Sequence, residues 1–427
     1  MNITFKKIAA AVSAVVLAGT LSGCALENGY IMTVDDIDIR SGVYISFEQD
    51  AIDKAYDIIE QRAAENAESD GDGEDADTSG GTSADGSAEE YNIFDEVIDG
   101  KSFSDWVKEE TLKGVKRYVG IKRQCEEFGI ALSDEEIAEI NSDIQEEWDS
   151  GNFYVQYYYG FSTLGEYYSS MGIGIESLKE IEKADRLNNL LFLHYYGEGG
   201  QLAVPDDEID PYIEENYAAY RLITLQFLDY RGDLLTSDLQ KQEILDRAQE
   251  YADRINKGES FADVYYDFNL LTAQNKAKAD AEDSYDEMFL DGLLDEEGRT
   301  PDGLTEEEYV LKAINSATAT KGESDSMYDE VASKDHSILT DELTDYLFSL
   351  PADSKAYVYE GTTSAYVVVR MPADALSNWK ASNIETILHE LRDDAFDSFM
   401  DLACQNYKVS MNEYLVNKKY SPEKILK

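Results

Sequence analysis

Aromatic residues crowd one short stretch, NFYVQYYYGFSTLGEYYSS, which carries Tyr154, Tyr157, Tyr158, Tyr159, Phe161, Tyr167 and Tyr168. The chemistry open to such a run is adhesion without a covalent step, because a tyrosine ring packs against apolar matter while its hydroxyl stays wet. Tyr154, Tyr157, Tyr158, Phe161 and Tyr167 are therefore candidate contacts for a bound polypeptide, and the same rings could serve as helix-packing core instead. Stacked tyrosines would also suit a small solute or a glycan, but solute receptors alternate strands with helices and glycine-rich loops, and that alternation is missing. Hydrolysis by paired carboxylates finds no particular support. With 89 acidic residues, close pairs follow from composition alone, and no Gly-x-Ser-x-Gly, phosphate loop or His-Glu-x-x-His motif occurs. His194, His336 and His389 lie far apart without ligand-spaced partners, so no metal site and no cofactor is expected.

A second chemically distinctive residue is Cys24. Lys6 and Lys7 precede an apolar or small run from Ile8 to Leu21, too short for the roughly 20 residues of a membrane-spanning helix and ordered like a secretory signal. Leu21, Ser22, Gly23 and Cys24 resemble the lipobox of bacterial lipoproteins. That resemblance implies removal of residues 1–23 and acylation of Cys24, hence an exported lipoprotein on the outer face of the cell membrane. More than one acyl chain is needed for stable anchoring. The formal net charge is −53, and loss of Lys6 and Lys7 takes it to −55 (−53 − 2). Such a chain is repelled by nucleic acid and by anionic lipid headgroups, which leaves the lipid anchor as its membrane contact. Cys125 and Cys404 are too few for a disulfide framework, though they could pair if the two ends of the chain meet.

These residues need elements to hold them, and the pattern is mainly helical. Met32 to Ile39 reads as one short strand, and a helix starts near Gly42. Residues 68–90, ESDGDGEDADTSGGTSADGSAEE, carry no large apolar group and read as a disordered acidic loop; counted from Asp70, Asp75 and Gly81 stand where a calcium loop needs Gly and Glu. Phe103 to Phe128 recurs at three- and four-residue steps, Gly129 stops that helix, and Ser133 with Glu136 forms a capping box for the next. Asp206 or Asp207 can cap a helix reaching Tyr217. YRLITLQFL reads as a strand, Leu239 to Asn256 as a helix, and KAYVYEGTTSAYVVVRM as a hairpin turning near Gly361 and Thr362. From Leu271 to Asp335 the chain reads as irregular apart from a helix over Thr305 to Ile314. Ser377 to Tyr407 is a last long helix.

The layout predicts a mainly α fold with a small α+β domain: signal 1–23, a helical module over 24–217, an α+β domain over 218–376, and a C-terminal helix and tail over 377–427 packing on the first module. In IDGKSFSDWVKEETLKGVKRYVGIKRQCEEFGIALSDEEI, VPDDEIDPYIEENY and the 220–371 island this order resembles the extracytoplasmic foldases of the SurA and PrsA type, with a helical chaperone module and an inserted parvulin-like domain. The resemblance implies a membrane-anchored chaperone or foldase whose partners are unfolded or newly secreted polypeptides, with peptidyl-prolyl isomerisation as the associated activity. In that family the first and last strands of the parvulin domain carry histidines. Here Leu222, or Arg221, and Val367 stand in those places, and the family's Gly-Gly-Asp-Leu-Gly stretch is missing. The expectation is weak or lost isomerase activity, with Leu222, Phe289, Phe348 and Tyr366 as an apolar pocket that could cradle a proline ring or form plain core. An active isomerase and a solute- or glycan-binding lipoprotein are the alternatives.

Overall fold

The computed structural model describes residues 29–69 and 92–426. The predicted signal 1–23, Cys24 and positions 70–90 of the predicted acidic loop lie outside the described residues. In chain order, β1 (Tyr30–Val34) and β2 (Ile37–Arg40) lead into α1 (Ser41–Ser69), so positions 68 and 69 of that loop are helical. β3 (Val97–Ile98) and β4 (Lys101–Ser102) precede α2 (Phe103–Phe128), α3 (Asp134–Asp149), α4 (Leu164–Met171), α5 (Ile175–Tyr196) and α6 (Asp206–Asn216). β5 (Tyr217–Gln226), α7 (Asp238–Asn256), α8 (Phe261–Leu290), α9 (Glu306–Ser316) and β6 (Glu330–Ser333) follow. α10 (Asp341–Ser349), β7 (Ala356–Glu360), β8 (Ser364–Arg370), α11 (Ser377–Cys404), β9 (Val409–Met411) and α12 (Pro422–Ile425) close the chain. The protein is mainly α with small antiparallel sheets. No described helix is long and apolar enough to cross a membrane.

The chain divides into two compact units, residues 1–203 with 389–427, and residues 204–388. This division groups α6 and the start of α11 with the α+β part, where the sequence reading drew lines at 218 and 376.

The first unit is a helical module completed by the end of α11 and the tail. Its core joins Val43, Tyr44 and Ile45 of α1, Val115, Tyr118 and Val119 of α2, and Tyr168, Ile181 and Ala184 of α4 and α5. β9 pairs antiparallel with β1 through Met32 and Met411, tying the tail into a three-stranded sheet. Phe192 of α5 stacks on His389 of α11 at 3.9 Å, and Lys113 of α2 pairs with Asp401 at 2.9 Å. The single strand expected over Met32 to Ile39 is instead the β1–β2 hairpin. Asp35 and Asp36 turn it with φ of 49° and 71°, a left-handed conformation that Asp tolerates better than most residues. Gly129 ends α2 at φ 68°, where its N–H bonds the Cys125 and Glu126 carbonyls, and Ser133 and Glu136 form both halves of the capping box of α3.

The second unit is built on a four-stranded antiparallel sheet in the order β6-β5-β8-β7. Side chains alternate across it. Ile223, Leu225, Val367 and Val369 face α7 and the start of α8, while Tyr220, Leu222, Val368 and Tyr366 face α10. Two expectations change here. α8 runs unbroken through Leu271 to Leu290, a span read as irregular, because its Ala, Lys, Gln and Glu residues favour helix without any apolar stripe to announce it. α6 begins at Asp206 behind Pro205, with no side-chain cap from Asp206 or Asp207, and Asp206 accepts from Lys380 Nζ at 2.9 Å. In the first unit Cys125 and Cys404 are free and buried, the commoner state for such cysteines, with burial pushing both thiols up to about 11.

Candidate functional site

The aromatic stretch of the first unit is held by local hydrogen bonds that start from its polar residues. Asn152 Oδ1 accepts from the N–H of Tyr154 at 2.9 Å, opening the turn, and Leu164 N–H donates to the Ser150 carbonyl at 3.1 Å, closing the loop at its base. Between them, Val155–Tyr159 form a π-helical turn, a geometry that recurs at functional sites. The turn sends Val155 inward, at 6% exposure. Tyr157 and Tyr158 go outward at 71% and 60%, and Phe153 stands at 78%.

These rings form a ladder that runs from solvent to the core. Phe153 stacks on Tyr157 at 5.6 Å, Tyr157 meets Tyr158 edge-on at 5.0 Å, and Tyr158 lies 4.4 Å from Tyr154. Tyr154 leads to Tyr159 at 6.1 Å, Tyr159 to Tyr167 at 5.1 Å, and Tyr167 to Tyr168 at 5.8 Å, with Phe161 beside Tyr167 at 5.9 Å. Tyr168, at 6% exposure, ends the ladder against the indole of Trp148, stacked at 6.3 Å and 18°. Gly165 makes that contact possible, since a Cβ there would collide with the Trp148 indole. Burial, and next the neighbouring Tyr159, pushes the Tyr167 hydroxyl up to about 12, and burial likewise raises Tyr168, so the inner rings stay neutral at physiological pH. The structure thus brings Tyr154, Tyr157, Tyr158, Phe161 and Tyr167 into one array, Tyr157 and Tyr158 fully outward and the other three partly covered. Phe153 is a member the sequence reading passed over; its position four residues before Tyr157 is the signal that could have found it.

The second set of residues behaves differently. Leu222 of β5 and Tyr366 of β8 lie partly buried on the sheet face with Tyr357 and Tyr359, and Phe348 and Tyr346 of α10 pack against that face. Tyr346 stacks on Tyr359 at 4.6 Å and donates its hydroxyl to the Val358 carbonyl at 3.1 Å, and Arg370 spans the Phe348 and Leu350 carbonyls at 2.7 and 2.9 Å. Phe289 does not join them. It stands 68% exposed near the end of α8, because the late turns of that helix pack on α9 rather than on the sheet. The register also separates the two histidine-equivalent positions. Leu222 pairs with Val368, whereas Val367 pairs with Ile223 and shares the opposite face with Arg221. Arg221 is itself clasped by Asp329 at 2.6 Å and Asp325 at 3.1 Å.

A cavity of about 540 Å³ in the first unit escaped the sequence reading. Phe47 and Asp50 of α1, Tyr118 of α2, Asp185 and Asn188 of α5 and Asp394 of α11 contribute to its wall. Burial pushes the Asp50 carboxyl up to about 6, against a smaller opposing pull from Lys54. Burial, reinforced by Glu182, takes Asp185 up to about 7. Among so many acidic residues nothing in the sequence marks these two. No group of three or more His, Cys, Asp or Glu side chains placed to hold a metal occurs among the described residues.

No family model matches the chain, and no curated protein matches it. Among solved structures it is similar to the crystal structure of foldase protein PrsA from Streptococcus pneumoniae, with 13% identity over 71% of this chain and 85% of that chain and a TM-score of 0.32. At that score no property of this chain rests on the likeness.

Proposed function

We propose that the protein is an exported, membrane-anchored chaperone that holds unfolded or newly secreted polypeptides by adhesion, with peptidyl-prolyl isomerisation weak or lost. The observation that carries the reading is the aromatic ladder, whose outer rings Phe153, Tyr157 and Tyr158 are exposed while its root is fixed in the core. Rigid exposed rings are suited to transient capture. A partner covering one gains roughly 1.5–3 kcal/mol if burial is complete, and little ordering entropy is lost on the protein side. The net charge of −55 left after loss of Lys6 and Lys7 (−53 − 2) keeps loaded chains apart. Lost isomerisation is favoured by the absence of histidine at Leu222, Arg221 and Val367 and by the packing of Leu222 and Tyr366 of the sheet against Phe348 and its neighbours on α10. Anchoring rests on the lipobox-like residues before Cys24.

Aggregation of a reduced, unfolding client tests the holding role, using the soluble chain that starts after Cys24. Wild type should suppress aggregation, and Phe153→Ser, Tyr157→Ser and Tyr158→Ser combined should lose most of that suppression with the fold retained. Equal suppression by both would overturn the reading. Saturable binding of an oligosaccharide by the same rings, without suppression, would move it to the glycan-binding class. A protease-free proline-peptide assay should show little turnover, and mass spectrometry of the membrane-extracted chain should find acyl groups on Cys24.

A further inference from the structure

In the second unit, the late half of α8 and all of α9 form a helical hairpin that the holding role leaves unused. α8 has 30 residues, about 45 Å at 1.5 Å per residue, yet its buried residues are Phe261, Ala262 and Val264 at one end and Ala281. α9 has no buried residue, although Val310, Leu311 and Ile314 give it an apolar face. The hairpin is nonetheless braced: Arg231 pairs with Glu282 at 2.5 Å and Asp283 at 2.7 Å, and the Tyr285 hydroxyl donates to the Gly298 carbonyl.

Between the helices lies a groove of about 680 Å³ with Tyr285, Val310, Leu311 and Ile314 in its wall. Glu297, Glu306 and Glu307 line it as well, and none of them has an ion-pair partner among the described residues. At the hairpin's end Phe289, Leu290 and Leu293 stand 68%, 81% and 56% exposed. Over the hairpin the basic residues are Lys276 and Lys278, paired with Asp280 and Glu282 on α8, Lys312 on α9, and Arg299, whose guanidinium donates to the Gly303 carbonyl at 3.2 Å; against these Glu297, Glu306 and Glu307 keep the groove net acidic.

We propose that this hairpin docks a cationic amphipathic polypeptide segment, an apolar side chain entering the groove and flanking Lys or Arg residues pairing with its glutamates. Charge complementarity selects this occupant. Apolar contacts alone would accept any hydrophobic partner, but the surrounding carboxylates repel an anionic membrane surface or an acidic peptide and attract a basic one. The hairpin and the aromatic ladder share no residue, so this site stands or falls apart from the proposed holding role.

A fluorescent amphipathic peptide of alternating Leu and Lys blocks, titrated into the soluble chain at low salt, tests the inference by anisotropy. Binding should weaken at least tenfold in Glu306→Lys/Glu307→Lys and in Leu311→Ser/Phe289→Ser, and should fall steeply as salt rises. The triple variant lacking Phe153, Tyr157 and Tyr158 side chains should keep the salt-sensitive part of the binding that the hairpin variants lose. Circular dichroism checks that each variant is folded, and Glu306→Gln/Glu307→Gln should lie between wild type and the charge reversal. Equal binding by wild type and folded hairpin variants, equal binding of a Leu/Glu peptide, or equal binding of anionic phosphatidylglycerol vesicles would overturn the proposal.

Discussion

Two regions use the same residue types to opposite ends. The ladder from Phe153 to Tyr168 and the sheet face of Tyr357, Tyr359 and Tyr366, with Tyr346 of α10 stacked on it, are both tyrosine-rich arrays with rings about 4.4–6.3 Å apart. The sheet face is roofed by α10, whose Leu343 and Leu347 are buried at 2% and 0%. Among the described residues no element covers the π-helical turn, and its outer rings Phe153, Tyr157 and Tyr158 are exposed. Ring chemistry is common to both, so the covering element decides whether an aromatic array is core or surface.

The strongest way to break that contrast is to take away the roof. Leu347→Ala should destabilise the second unit by about 2–5 kcal/mol, the usual cost of a buried leucine truncation with its cavity. Removing the outer ladder rings should leave stability within about 0.5 kcal/mol, as for exposed positions generally. Urea unfolding of both variants checks the pair. Comparable losses would mean that Phe153, Tyr157 and Tyr158 are structural after all. A smaller effect is expected at the ladder's root. Gly165→Ala forces a methyl into the Trp148 indole, an overpacking cost of about 1–3 kcal/mol. It should shift Trp148 fluorescence and weaken polypeptide holding although no exposed ring has changed; unchanged fluorescence with full holding would show that the outer rings do not depend on their root.

How far this was legible follows from what each segment's signal was. α2 and α3 could be read because periodicity, the Gly129 stop and the Ser133–Glu136 box agree, each a local physical rule. The β1–β2 hairpin was missed because Asp35-Asp36 is a weaker turn signal than Asn-Gly or Asp-Gly. The late half of α8 was missed because a helix that packs little on a core needs no apolar stripe, and Phe289 was misplaced for the same reason. The aromatic run named its own residues, but residue type could not separate Tyr157 from Tyr168, since the sorting depends on the π-helical turn. Asp50 and Asp185 were invisible, because their raised protonation comes from helices brought together over long sequence distance.

Those two acids set up the subtlest contrast between the units. In the first unit burial lifts Asp50 to about 6, Asp185 to about 7 and Glu48 to about 9, and the Glu48 carboxyl oxygens have no hydrogen-bond partner among the described residues. In the second unit the shifted carboxyls go down, Asp325 through backbone N–H groups of Ala262 and Phe261 that outweigh its burial, and Glu259 chiefly through its hydrogen bond from Arg254. A carboxyl raised in the folded state keeps a proton that the unfolded chain releases above about pH 4, so its contribution is complete in acid and is lost as pH rises toward the folded value. A lowered carboxyl behaves oppositely and loses its contribution as pH falls below about 4. The first unit should therefore gain stability between pH 8 and pH 5, while the second should be flat there and weaken only in stronger acid. In a Trp379→Phe background the remaining Trp106 and Trp148 report the first unit alone. Asp185→Asn should reduce its pH 8 to 5 gain by about 1 kcal/mol. An Asp185→Asn profile superimposable on the parent's would remove the buried carboxyl as the source of the difference.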